Sequence, residues 1–184
     1  TLAVTGVVTA NAGVVVDNIT IDGTEIDLSS GTLTIDAASI TLDASDSIST
    51  TTAGSNNVKL GANAGNSITS GGNQNVVIGD DAGTAITTGD QNTAVGYAAL
   101  AFEDADGSNT AIGWSTLKNL NVGADGSNTA IGSNAGRNVT TGIQNTLIGV
   151  DAGDALGDAD FNVAVGKDAL GQDTLGSKST AIGY

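Results

Sequence analysis

The sequence predicts an all-β protein in two parts: an N-terminal triple-stranded β-prism or β-helix shaft over residues 1–54, then a parallel β-solenoid (β-roll) of about eight 17-residue coils over 55–184, the last one incomplete, with three copies of the chain assembled together. Three observations lead there. The heptapeptide GSNTAIG occurs at Gly107–Gly113 and again at Gly126–Gly132, with a variant, KSTAIGY, at Lys178–Tyr184. Within residues 1–50 apolar residues come in pairs at a seven-residue period. Hydrophobic residues make up 39% of the chain but include only two Phe, two Tyr and one Trp, so any core is narrow.

In the shaft the pairs are Ile19/Ile21, Ile26/Leu28, Leu33/Ile35 and Ile40/Leu42. Steps of two and five do not fit a coiled-coil seam, which alternates three and four. A step of two places both side chains on one face of a strand, and the intervening DGTE, SSGT and DAAS are turn formers. Seven residues cannot bury such a pair alone. Pooling pairs from several chains, most simply three around an axis, meets that need. The period changes around Thr51–Asn57.

The roll is legible in a column of glycines: Gly61, Gly79, Gly96, Gly113, Gly132, Gly149, Gly166 and Gly183, spaced by 18, 17, 17, 19, 17, 17 and 17 residues. Such regularity is the mark of a repeat architecture. Before each Gly stands an aliphatic residue (Leu60, Ile78, Val95, Ile112, Ile131, Ile148, Val165, Ile182), and two positions earlier a β-branched one (Val58, Val76, Thr93, Thr110, Thr129, Thr146, Val163, Thr180). This i, i+2 pairing of stiff side chains predicts a short strand with both columns facing a thin stacked interior. The residue between them, mostly Ala, is expected on the opposite face. Asn57, Asn75, Asn92, Asn109, Asn128, Asn145 and Asn162 precede the strands, with Ser179 in the eighth copy. Asparagine suits left-handed turns and bonds between stacked rungs. After the glycine, an Ala column three residues on and an aliphatic column seven residues on predict a looser second strand. Phe102 and Phe161 are expected to close the loop side of their coils. Rungs about 4.8 Å apart would give a rod segment roughly 40 Å long.

The repeats NVVIGDDAG (Asn75–Gly83), NTAIGSNAG (Asn128–Gly136) and NTLIGVDAG (Asn145–Gly153) resemble the head repeats of trimeric autotransporter adhesins, and more closely their longer-period versions in bacteriophage tail fibres. The preceding VDNITIDGTEIDLSSGTLTID is similar to tail-fibre shaft sequence. The resemblance implies a homotrimeric, extracellular segment of a virion tail fibre. It would join neighbouring fibre or tail proteins and support host attachment. A carbohydrate-binding module of a bacterial trimeric autotransporter is the alternative.

Composition narrows the partners. A net charge of −15 opposes a phosphate backbone, so nucleic acid is not expected. Nothing approaches the run of about 20 apolar residues that a membrane-spanning helix needs. A chain with no Met is expected to be a processed product or a piece of a longer polypeptide. With neither His nor Cys, few groups remain for acid–base or nucleophilic work, and no catalytic residue, cofactor or metal ligand is assigned. Asp81, Asp151 and Asp168 share one column, too sparse for a paired-carboxylate site. DADGSN (Asp104–Asn109) and GDAD (Gly157–Asp160) do not match a calcium-loop template, and solvated turns are preferred to cations held between chains. Tyr97, Trp114 and Tyr184 each follow a motif glycine and form a candidate glycan surface. An ice-binding reading of the Thr column is opposed by its expected inward facing.

Overall fold

The computed structural model describes residues 54–123 and 125–184; the seven-residue shaft period of residues 1–50 lies outside the described residues. What it shows is an all-β parallel solenoid. Eight three-residue strands follow one another: β1 (Val58–Leu60), β2 (Val76–Ile78), β3 (Thr93–Val95), β4 (Thr110–Ile112), β5 (Thr129–Ile131), β6 (Thr146–Ile148), β7 (Val163–Val165) and β8 (Thr180–Ile182). They form one parallel sheet in the order β1 to β8, and every strand is paired with the next. Register never slips: Thr93 faces Thr110, Thr110 faces Thr129, and Ile112 faces Ile131. About seven turns of the chain, each near 17 residues, therefore lie directly on one another.

The facing of the strands reverses the expectation from sequence. The middle residues Val77, Ala94, Ala111, Ala130, Leu147 and Ala164 are fully buried, whereas the β-branched and aliphatic columns on either side are partly exposed. Ile112, Ile131 and Ile148 keep 38%, 38% and 37% of their surface. The reason is width. The strand packs against the other flank of its own coil, where Ala82, Ala99, Ala135 and Ala152 meet it together with Ile86, Leu120, Val139 and Leu156, all buried. A gap that narrow takes one inward side chain per strand, most often Ala, so the flanking pair turns outward.

The second flank is not a strand. It carries a left-handed residue two and four positions after each motif glycine, as in Asp81 and Gly83, Ala98 and Leu100, Ser115 and Leu117, or Asp151 and Gly153. Alternating left-handed residues preclude β geometry. The flank still ladders coil to coil: Gly83 N–H donates to Ala99 O, Leu100 N–H to Thr116 O, Gly136 N–H to Ala152 O. Backbone polar groups are thereby paired without a sheet.

Two columns fix the stacking. The motif glycines have φ near +130°, and a Cβ at Gly149 would stand 2.4 Å from the Gly166 carbonyl oxygen. Only glycine tolerates that approach. The asparagines are buried, and each amide grips the coil above. Asn75 Oδ1 accepts from Asn92 N–H at 2.8 Å while its Nδ2 donates to Gly89 O at 2.8 Å. Asn145 does the same with Asn162 N–H at 2.9 Å and Ala159 O at 2.8 Å. The left-handed turn residue is the one before each asparagine (Gln91, Ser108, Ser127, Gln144), not the asparagine itself.

Candidate functional site

The coil between Gly96 and Gly113 departs most from the pattern. Four residues after the motif glycine, four coils carry Gly65, Gly83, Gly136 and Gly153, but this one carries Leu100, the following one Leu117 and the last Leu170. Both leucines are wholly buried. At Gly83 a Cβ would meet Ile86 Cδ1 at 2.8 Å, so a leucine there competes for the volume of the aliphatic residue three positions later. In the Leu100 coil that later position is Glu103, and in the Leu170 coil it is Asp173. Leucine fills the interior, and the acid caps the loop. Glu103 Oε1 accepts from the N–H of Asp104 at 2.9 Å and of Asp106 at 2.7 Å. Asp173 Oδ1 likewise accepts from Gly176 N–H at 2.8 Å.

Glu103 is fully buried, and its Oε2 has no hydrogen-bond partner. Burial pushes its carboxyl up to about 7, and the adjacent Asp106 carboxylate adds to that, against the two N–H donors that lower it. Asp106 is raised too, by burial, although Asn109 Nδ2 donates to its Oδ2 at 2.9 Å and Gly107 N–H to its Oδ1 at 2.6 Å. Asp106 Oδ1 also accepts from Gly126 in the next, 19-residue coil. Asn109 Nδ2 thus bonds within its own coil, whereas Asn92 and Asn128 reach the coil above. The acids here are structural caps. Among the described residues no group of three or more acidic side chains is placed to hold a metal ion.

Outside the same coil the aromatic residues gather. Tyr97 and Trp114 occupy equivalent positions in successive coils and stack, with ring centroids 6.1 Å apart and planes at 16°. They are 45% and 49% exposed. Tyr184 stands four coils from Trp114 in the same column, 93% exposed with Lys167 Nζ 5.0 Å from its ring centroid, so it is not part of the platform. Phe102 and Phe161 do not close their coils; both project outward, 54% and 43% exposed.

A hollow of about 210 Å³ opens beside Tyr97. Its cause is two short side chains. In the column two residues after the motif glycine, Asn63, Asp81, Ser115 and Asn134 are polar, but coil three has Ala98. Three positions on, Ala101 lies between Thr84 and Lys118 of the flanking coils. These alanines leave a recess walled by Tyr97 and Phe102 and edged by Asp81, Thr84 and Lys118. Lys118 Nζ lies 5.9 Å from the Phe102 ring centroid. Asn63 Nδ2 donates to Asp81 Oδ1 at 3.0 Å, and Thr84 Oγ1 donates to the Asp81 carbonyl at 2.7 Å. The sequence marks Phe102 only as a loop-closing residue and does not mark Lys118 at all, although the break in the polar column at Ala98 marks the spot.

Two of the column acids, Asp81 and Asp151, are held by the asparagine of the preceding coil. Asp151 Oδ1 accepts from Asn134 Nδ2 at 2.9 Å, repeating the bond at Asp81 one row at a time. Asp154 is pushed up by burial and by Asp151 and Asp168 beside it. The Thr column faces outward, contrary to expectation, but Val58, Val76 and Val163 interrupt it and the Ile column flanks it, giving an apolar stripe instead of an ice-matching array. No protein-family model, curated protein or solved structure matches this chain. Among the described residues no helix is long and apolar enough to cross a membrane.

Proposed function

We propose that this chain is a structural segment of a homotrimeric viral tail fibre, giving length and stiffness between the particle and a host-binding tip. The observation that carries the reading is the outward stripe of the sheet. From β1 to β8 its two columns run from Val58 and Leu60 to Thr180 and Ile182 without a charged residue, on a chain of net charge −15. Net charge opposes the approach of two copies in general; along this uncharged stripe they can approach and bury aliphatic surface. A stripe one strand wide along stacked coils suits a bundle of few chains sharing a central seam, and the resemblance of the repeats to tail-fibre sequence favours three. The fibre would lie outside the cell on the virion and join neighbouring fibre or tail proteins end to end. Repeats that contact only their neighbours sum their stability along the axis, which is what a spacer requires.

Sedimentation mass of the purified chain tests this reading. The expected value is three chains. Ile112→Asp with Ile131→Asp, which places carboxylates on the stripe and leaves the interior untouched, is expected to give single chains with an unchanged β spectrum. A parent chain that sediments alone overturns the reading.

A further inference from the structure

We propose that the hollow beside Tyr97 is a binding site for one neutral pyranose ring of a saccharide chain. Its volume of about 210 Å³ falls below the roughly 300 Å³ at which pockets for drug-sized ligands begin, so it fits a single ring. Tyr97, backed by Trp114, and Phe102 offer aromatic walls of the kind that pack on the C–H face of a sugar. The polar rim is balanced. Asp81 keeps one carboxylate oxygen beyond the bond from Asn63, to accept from a ring hydroxyl. Lys118, which forms no ion pair among the described residues, can donate to another. Thr84 spends its proton on a backbone carbonyl, so its hydroxyl oxygen is left as an acceptor.

Charge decides the class of sugar. One carboxylate and one ammonium match a pair of neutral hydroxyls. An acidic sugar would bring its own carboxylate beside Asp81, with Asp80 next in sequence and Asp104 two residues beyond Phe102, in the field of a chain with net charge −15. The hollow lies within one chain, so this proposal does not rest on the fibre reading.

Trp114 is the chain's single tryptophan and stacks on Tyr97, so its emission reports changes at that ring. The purified chain is titrated with neutral oligosaccharides built from glucose, mannose and galactose, and with alginate and polysialic acid as acidic counterparts. At least one neutral saccharide is expected to change Trp114 emission saturably. Tyr97→Ala is expected to weaken binding about tenfold, the effect of losing one ring stack. Asp81→Asn and Lys118→Ala, at surface positions that leave the interior intact, are expected to weaken it several-fold, and Phe161→Ala not at all. The proposal is overturned if no neutral saccharide binds, if only the acidic ones do, or if the Asp81 and Lys118 variants bind as the parent does. It also falls if Trp114 in the free chain resists quenching by acrylamide, which would mean that another copy covers the site.

Discussion

The coils from Gly132 to Gly166 and those from Gly96 to Gly132 share the same strand, the same glycine corner and the same asparagine, yet their interiors are built differently. In the first pair, Gly136 and Gly153 make room for Val139 and Leu156, and apart from the shared asparagines every wholly buried side chain is aliphatic. In the second, Leu100 and Leu117 take the glycine positions, Glu103 replaces an aliphatic residue, and Thr116 replaces the usual alanine. Leu117 and Leu120 keep both large groups, in the coil that is two residues longer. Backbone stacking thus comes from the glycine and asparagine columns, which both regions have. Interior chemistry is free to vary as long as its volume is conserved. The irregular region is also where the hollow and the aromatic stack lie.

The largest expected effect comes from attacking what both regions share. Gly149→Val forces a side chain against the Gly166 carbonyl at a φ of +136°, and we expect a loss of about 4 kcal/mol or more, read as denaturant-induced unfolding or failure to fold. Next is the volume exchange. Glu103→Ile alone overpacks against Leu100 and strips the acceptor from two N–H groups, costing about 3 kcal/mol. Adding Leu100→Gly is expected to return a substantial part of that loss, so a double-mutant cycle should give a strongly non-additive coupling; simple additivity would break the comparison.

A pH titration of stability separates the regions without touching volume. The folded carboxyl of Glu103 is raised from 4.5 to about 7, so between those values the folded chain holds a proton that the unfolded chain has released. Stability is therefore greatest at the acidic end and falls as pH rises from about 4.5 to about 7, by up to about 3 kcal/mol, with raised Asp106 adding in the same direction. Glu103→Gln is expected to flatten that slope and to be the more stable protein at pH 8. The smallest effect is at the surface: Trp114→Ala, half exposed and on the outside of its coil, should cost about 1 kcal/mol in thermal unfolding.

The repeat length, the strand positions, the glycine corner and the stacked asparagines are all legible in the sequence because each is a column of one residue type. The direction of the strand faces is not. Alternation says that Thr110 and Ile112 lie opposite Ala111, but either side could be inside, and assigning the larger residues to the interior overlooks how little room one coil has. The second flank misleads for a different reason: its left-handed positions hold Ala98, Leu100 and Leu117, residues with no preference for that conformation. Tyr97 and Trp114 are visible as neighbours in a column, while the hollow beside them depends on the absence of side-chain atoms at Ala98 and Ala101, which no motif announces.

The asparagine row has a direction. From Asn57 to Asn162 every Oδ1 accepts from the N–H of the residue one turn later. A newly wound turn therefore presents an amide oxygen to water until the N–H of its successor replaces the water, while a break between two turns exposes an amide oxygen on one side and an N–H on the other that can only rejoin in the original sense.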